Sequence, residues 1–360
     1  MPRPTAGSRN RETPLGFPPV RVLTGLAFEL VAELAAFTSG PARTALDAGK
    51  PWVREVRRRA GPELITQVER YDLNIYGQLA TVALEAPEPR DVASLIRKLQ
   101  RLEPDVLHRR LLGADSQMNR AMVGPDAFER ALAGHAEARA ELRSEMAGGG
   151  AAGDAFLRVL DSTPSAIKQE VLGIVGDWAD RVLPGLAAAA WAAIDRDARA
   201  KEAQLATRTP QAVIEMATHG VSYEPPTWIR EAVLVPTVAL RPFVVPVELR
   251  EIVLFLYPVA DDALGADAAA PPRRLVKVAA ALGDELRLRI LHALGNDELS
   301  ASEIAERLAV DRTTIHHHLG ILRSAGLLTI RDEGVRGWRY ARRADGVAVA
   351  AELDAYLGSS

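Results

Sequence analysis

The chain has 360 residues and no cysteine. Disulfides, thiolate metal sites and cysteine nucleophiles are therefore excluded from its chemistry. The chain also lacks a surplus of either charge, because its formal net charge is only −3. Such a balance gives no general attraction to nucleic acid, so any binding of nucleic acid must come from a local patch.

Long hydrophobic runs are missing as well. The most apolar run, Leu183 to Ile194, is too short to span a bilayer, which needs about 20 residues. Residues 1–20 are rich in Pro, Gly, Arg and Ser, and they lack the apolar segment of a signal peptide. We therefore expect a soluble, cytoplasmic protein without a membrane partner, with residues 1–20 as a flexible tail.

What the chain does contain is typical of a globular protein, with 48% hydrophobic and 25% charged residues. Helical periodicity dominates residues 21–257, but β-branched runs between Val221 and Tyr257 predict a small antiparallel sheet. Residues 258–272 read as a linker, and 273–360 as a separate domain. The expected fold class is mainly α with a small antiparallel β element (α+β).

The N-terminal region carries no recognisable catalytic motif. Its first helical pattern puts Leu26, Leu30 and Leu34 on one side, with Glu29 and Glu33 on the other side. Two tryptophans on later helices, Trp178 and Trp191, are expected in the core. The histidines of this region are isolated, and no serine lies in a Gly-x-Ser-x-Gly elbow.

Ser300 to Gly326 has the local signals of a helix-turn-helix. Ser300 and Glu303 form a capping box that begins one helix, and Ala309-Val310 makes the turn. Asp311 then caps a second helix, predicted over Arg312 to Ala325, which Gly326 ends.

The phase of the second helix separates a buried face from an outer one. Ile315, Leu319 and Leu322 recur at steps of four and three residues and must face the core, and His318 leans towards them. The residues near the N-terminal end that face outward can meet base edges. They are Arg312, Thr313, His316 and His317.

A β-hairpin is predicted to follow. Its strands are Leu327 to Asp332 and Trp338 to Arg342, with Glu333 to Gly337 at the tip. Between Arg312 and Arg343 there are seven arginines against Asp332 and Glu333, a net charge of +5. A local surplus of this kind is what neutralises DNA phosphates.

Together these motifs resemble the ArsR-type winged-helix repressors over the last quarter of the chain. The matching segments are Ala281 to Leu291, Ser302 to Ala305, His318-Leu319 and Leu322 to Leu328. The resemblance implies a homodimeric repressor that binds double-stranded DNA. It implies that Arg312, Thr313, Thr314, His316 and His317 face the major groove, and that Arg336 and Arg339 lie near phosphate or the minor groove. It implies dimerisation through the first and last helices, by Leu275, Val278, Leu282, Val349, Leu353 and Leu357.

The chain departs from the metal-sensing members of that family. They carry Cys on the first helix of the motif or Asp and His on the last helix, whereas Ala301 to Leu308 has no Cys and Val347 to Leu357 has no His. The triplet His316-His317-His318 cannot converge on one metal ion, because consecutive helical residues diverge by about 100°. We expect no metal and no cofactor.

The N-terminal region resembles the uncharacterised helical domain that precedes such winged helices in some long bacterial regulators, as in Pro51-Trp52-Val53-Arg54. We expect it to sense a small-molecule effector or to support dimerisation. Two alternatives remain open: an enzyme whose N-terminal catalytic domain is regulated by the winged helix, and a winged helix that serves protein–protein contact.

Overall fold

A computed structural model describes residues 17–40, 43, 46–124, 126–147, 149–185, 187–265, 271, 273–332, 338–343 and 349–358. Its α-helices up to the predicted linker are α1 (Leu26–Phe37), α2 (Gly49–Val68), α3 (Leu73–Leu84), α4 (Val92–Arg101), α5 (Pro104–Leu111), α6 (Gln117–Val123), α7 (Ala127–Leu132), α8 (Ala136–Met146), α9 (Gly150–Asp161), α10 (Pro164–Arg181), α11 (Ala187–Leu205) and α12 (Pro210–Ala217). After it follow α13 (Arg273–Leu282), α14 (Glu285–Leu294), α15 (Ala301–Leu308), α16 (Arg312–Ser324) and α17 (Val349–Gly358).

The strands are β1 (Val20–Val22), β2 (Val221–Tyr223), β3 (Glu231–Thr237), β4 (Val245–Leu249), β5 (Ile252–Pro258), β6 (Leu299–Ser300), β7 (Leu328–Asp332) and β8 (Trp338–Arg342). They form two four-stranded sheets, in the orders β1-β3-β5-β4 and β2-β7-β8-β6. The prediction of a mainly α chain with a small β element is confirmed. Among the described residues, no helix is both long and apolar enough to cross a bilayer.

The first sheet is mixed. The prediction that it is antiparallel was wrong. Strands β1, β3 and β5 run parallel, and only β4 is antiparallel to β5. Alternate residues of β3 enter different clusters: Val233 packs with the helical core around α1, whereas Leu234 packs with residues of α12. Because both faces are covered, β3 and β5 are mainly apolar runs, as is typical of buried parallel strands.

Helix α1 is buried on all sides, and its two carboxylates are buried with it. Glu29 and Glu33 are 2% and 1% exposed. Glu29 accepts hydrogen bonds from the backbone N–H groups of Val238 and Ala239, both at 2.9 Å, and Glu33 accepts one from Trp178 Nε1 at 2.8 Å. Burial raises the pKa of Glu29 to about 7 and that of Glu33 to about 8.

The two tryptophans differ in environment. Trp178 is fully buried and packs edge-to-face on Phe37, with ring centroids 5.8 Å apart, as expected of a core residue. Trp191 is 38% exposed on α11, so its assignment to the core was wrong. Helical periodicity alone did not show that this side of α11 faces solvent.

The C-terminal part has its own core, built from α13 to α16 and the strands of the second sheet. The predicted break at Gly283-Asp284 is present, because α13 ends at Leu282 and Asp284 caps α14. Strand β2, expected in the N-terminal sheet, instead pairs parallel with β7, and Val221 is buried in the C-terminal core. The second sheet therefore joins a strand from the N-terminal region to the hairpin.

Candidate DNA-binding surface

The helix-turn-helix is formed by α15, a three-residue turn and α16. Ser300 and Glu303 complete both hydrogen bonds of the capping box that begins α15. Ala309 takes a left-handed conformation, with φ of 54°, and reverses the chain. Asp311 then accepts a hydrogen bond from the Thr314 backbone N–H at 2.8 Å and begins α16. These local signals place both helices as the sequence predicts, with Ala325 as the C-cap of α16.

Helix α16 has the predicted division of faces at its N-terminal end. Ile315, Leu319 and Leu322 are at most 1% exposed and pack in the C-terminal core. Arg312 and Thr313 are exposed. Residues of these types, on the exposed start of a recognition helix, can donate hydrogen bonds to base edges in a major groove.

The three histidines point in different directions. His316 is exposed and its Nε2 lies 3.3 Å from Arg312 Nε, a hydrogen bond that holds the two side chains together. Neighbouring atoms desolvate the His316 ring and Arg312 adds positive charge, so the pKa of His316 is lowered. His317 is half-buried. His318 turns inward, with Nδ1 3.6 Å from Asp284 Oδ1 and a side chain 14% exposed, which agrees with its expected packing role.

The hairpin is an antiparallel wing in which Asp332 pairs with Trp338. Tyr340 is 5% exposed and belongs to the C-terminal core. Arg339 lies on β8, but its side chain contacts the protein: its Nη1 is 3.3 Å from Glu303 Oε2, and its Nη2 donates to the Glu298 carbonyl. Arg336 lies outside the described residues.

Ion pairing makes this surface less positive than the sequence count of +5 suggests. Arg331 forms an ion pair with Glu298 at 3.0 Å, and Arg339 forms one with Glu303. Both acidic residues precede the counted segment. Arg323 is buried, at 4% exposure, and cannot contribute to a surface. In the described part of the segment, Arg312 and Arg342 are exposed and form no ion pair.

A segment of the N-terminal region covers the C-terminal half of the same helix. The ring of Phe243 lies so close to Gly320 that a Cβ atom on Gly320 would be 2.7 Å from it. Gly320 follows His316 by four residues and therefore shares its face. The guanidinium of Arg323 lies over the Phe243 ring at 5.9 Å and over the Trp338 ring at 5.6 Å. No local signal predicts these contacts, because Phe243 is far from α16 along the chain.

Charged groups hold the Phe243 segment in place. Arg241, 2% exposed, pairs with Asp47 at 2.9 Å and with Asp261. Lys277 of α13 reaches the same two carboxylates, at 2.9 Å and 3.3 Å. This network, together with the bonds from Glu29 to the backbone at Val238 and Ala239, ties the segment both to α1 and to the C-terminal part.

The residues expected at a dimer interface lie in different environments. Leu275 and Val278 are buried within the chain, at 5% and 1% exposure, and Leu282 is half-buried. Leu353 and Leu357 of α17 are 41% and 62% exposed, and the side chain of Val349 lies outside the described residues. Val276, which was not predicted, is 49% exposed on α13. The helical phase of α13 thus presents Val276, and not Leu275 or Val278, to the surface.

The described residues bring no three His, Cys, Asp or Glu side chains together in a group that could hold a metal ion. The His317 and His318 rings lie with centroids 5.4 Å apart and planes at 78°, and Asp284 lies near the His318 ring.

Comparisons with known proteins agree with this geometry. Residues 282–331 match the family described as "Helix-turn-helix domain". The matched residues include α14, α15, α16 and most of β7. An uncharacterized HTH-type transcriptional regulator of Methanocaldococcus jannaschii is 39% identical to this chain over 61 residues, which are 17% of this chain and 68% of the relative. The predicted resemblance of the C-terminal quarter is thereby confirmed, and the chain belongs to the DNA-binding transcriptional regulators of the helix-turn-helix type.

Proposed function

We propose that the protein is a cytoplasmic repressor that reads double-stranded DNA with α16 in the major groove. The observation that carries this proposal is the exposed, capped start of α16, where Arg312 and Thr313 face solvent and His316 is hydrogen-bonded to Arg312. Thr314 and His317, next to them on the helix, complete the proposed reading surface. A helix end of this kind matches the way that recognition helices approach base edges.

The wing supplies the proposed contacts to the DNA backbone or minor groove. Arg336 lies between the two wing strands in the sequence, where a hairpin tip can reach a phosphate. Arg339 is a weaker candidate, because its ion pair with Glu303 must be loosened before it can bind phosphate.

We further propose that the protein acts as a homodimer through α13 and α17. These helices contact each other, and they expose Val276 and Leu353. Exposed apolar side chains on paired terminal helices are suited to packing against a second copy of the same surface.

Residues 21–257 form the proposed regulatory part and 273–360 the DNA-binding part, joined by 258–272. The contacts of Phe243 with Gly320 and of Lys277 with Asp47 and Asp261 give the first part a direct physical connection to the second. A small-molecule effector bound by the N-terminal part could therefore alter DNA binding.

Two arginine variants test the reading surface. Arg312→Ala should relax the preference for one base pair, at a cost of about 1–3 kcal/mol on the preferred sequence. Arg336→Ala should weaken binding to every duplex alike and reduce the salt slope by about one. Fluorescence anisotropy with specific and random duplexes over a range of salt concentrations measures both effects.

Arg199→Ala is the matched control, because Arg199 is an exposed arginine of α11 and its substitution should leave DNA binding unchanged. Wild-type behaviour of both Arg312→Ala and Arg336→Ala on both duplexes would overturn the assignment.

A further inference from the structure

A cavity of about 220 Å³ lies between α16 and the N-terminal region. The N-terminal wall includes Leu46, Leu240 and Phe243, and the C-terminal wall includes Leu319 and Trp338. These side chains are apolar. The cavity can therefore bury the hydrocarbon part of a small ligand.

One charged group lines this apolar cavity. Arg323 is 4% exposed, its guanidinium lies 5.9 Å from the ring centroid of Phe243 and 5.6 Å from that of Trp338, and its Nε has no hydrogen-bond partner. None of the ion pairs formed by the described residues includes it. Burial lowers its pKa to about 10, so it is still a cation at neutral pH. A buried cation without a counter-ion is costly, and an anion in the cavity would remove that cost.

We propose that this cavity binds a small organic acid, with the carboxylate on Arg323 and the apolar body against Leu46, Leu240 and Leu319. A planar carboxylate matches the donor geometry of a guanidinium. Inorganic phosphate fits less well, because it would bring several charged oxygens among walls that are mainly leucine, valine and aromatic side chains.

The position of the cavity connects the ligand to DNA binding, and this step rests on the proposed function. The ligand would touch both walls at once, so it would stabilise the arrangement in which Phe243 covers Gly320. Gly320 continues the face of α16 that carries His316, and a major groove that accepts a whole helix would have to displace the Phe243 ring. The acid should therefore weaken DNA binding, and DNA should weaken binding of the acid by the same factor.

The test is a calorimetric titration of the full chain with benzoate, phenylacetate and octanoate, and with uncharged benzamide as the reference. At least one of the acids should bind with a dissociation constant of about 1 mM or tighter. Arg323→Met should weaken that binding by about tenfold or more, because it removes the cation and keeps an apolar side chain of similar length. Benzamide should bind weakly and equally to both proteins.

Two controls distinguish a loss of the binding site from a general effect of the substitution. Arg307→Met removes an exposed arginine from α15 and should leave acid binding unchanged. The unfolding temperature of Arg323→Met should equal or exceed that of the wild type, because an unpaired buried charge has been removed. Failure of all three acids to bind the wild type, or equal binding by Arg323→Met, would overturn the proposal.

DNA binding without any acid is measured separately, by anisotropy. Arg323-dependent binding of an acid in a protein that binds no DNA would retain the ligand site and refute the proposed function. DNA binding without Arg323-dependent acid binding would retain the proposed function and refute the ligand site.

Discussion

The burial of Glu29 and Glu33 on α1 differs from what helical periodicity indicates for charged residues. Glu29 and Glu33 recur on the side of α1 away from Leu26 and Leu30, where an amphipathic helix faces water. Here that side is covered by α10 and by the segment after β3, and both carboxylates meet N–H donors there. Periodicity cannot reveal such donors, because they come from distant parts of the chain.

Glu33→Gln should change the dependence of stability on pH. The unfolded carboxyl titrates near 4.5 and the folded one near 8, so between these values the folded protein binds more protons. Stability is then lost as pH rises from about 4.5 to about 8, and it levels off above that. The variant lacks this loss, so it should be more stable than the wild type at pH 9 by on the order of a few kcal/mol, and similar at pH 5.

Urea unfolding at a series of pH values measures the effect, with Glu63→Gln, an exposed position of α2, as the control. An unchanged pH profile in Glu33→Gln would show that Glu33 titrates at its ordinary value in the folded protein.

At the level of elements, helix-turn-helix and wing were predictable because their signals are local. Asp311, Ser300 and Gly326 act on amides and carbonyls within a few residues, so their effect can be read from the sequence. The contact of Phe243 with Gly320 and the pairing of β2 with β7 join segments far apart in the chain, and nothing nearby predicts them. The charge of the surface was overestimated for the same reason, because the partners Glu298 and Glu303 lie outside the basic segment.

Phe243→Ala should remove the ring that covers the C-terminal half of α16. If the covered arrangement competes with DNA, removing the ring increases the fraction of molecules that can bind, and the apparent affinity should rise by roughly three- to tenfold. The truncation also removes partly buried packing, so the variant should be less stable by about 1–3 kcal/mol. Anisotropy measures the affinity and thermal unfolding the stability.

Phe156→Ala is the matched control, since Phe156 is also partly buried against the N-terminal core and its ring packs on Phe128 of α7. It should lose stability without a change in DNA affinity. Unchanged affinity in Phe243→Ala would contradict the competition between the covered arrangement and DNA.

For the whole molecule, the sequence identified the DNA-binding part and left the role of the larger N-terminal part open. The structure connects the two by the pairing of β2 with β7 and by a surface where the network of Arg241, Asp47, Asp261 and Lys277 lies beside the Phe243 segment. Regulation of DNA binding by the N-terminal part then needs no long pathway, because that part already touches α16. The exposed apolar residues of α13 and α17 form the separate surface that we propose for a second copy.

In vitro selection of duplexes from a random library by the full-length protein tests the central claim, sequence-specific reading by α16, most directly. We predict that one motif is enriched, made of two inverted half-sites whose centres lie about 34–36 Å apart, or a multiple of that distance, as expected of a two-fold symmetric dimer. Arg312→Ala should enrich a motif with a relaxed position in each half-site. A library that remains random after repeated selection by the wild type would contradict the claim.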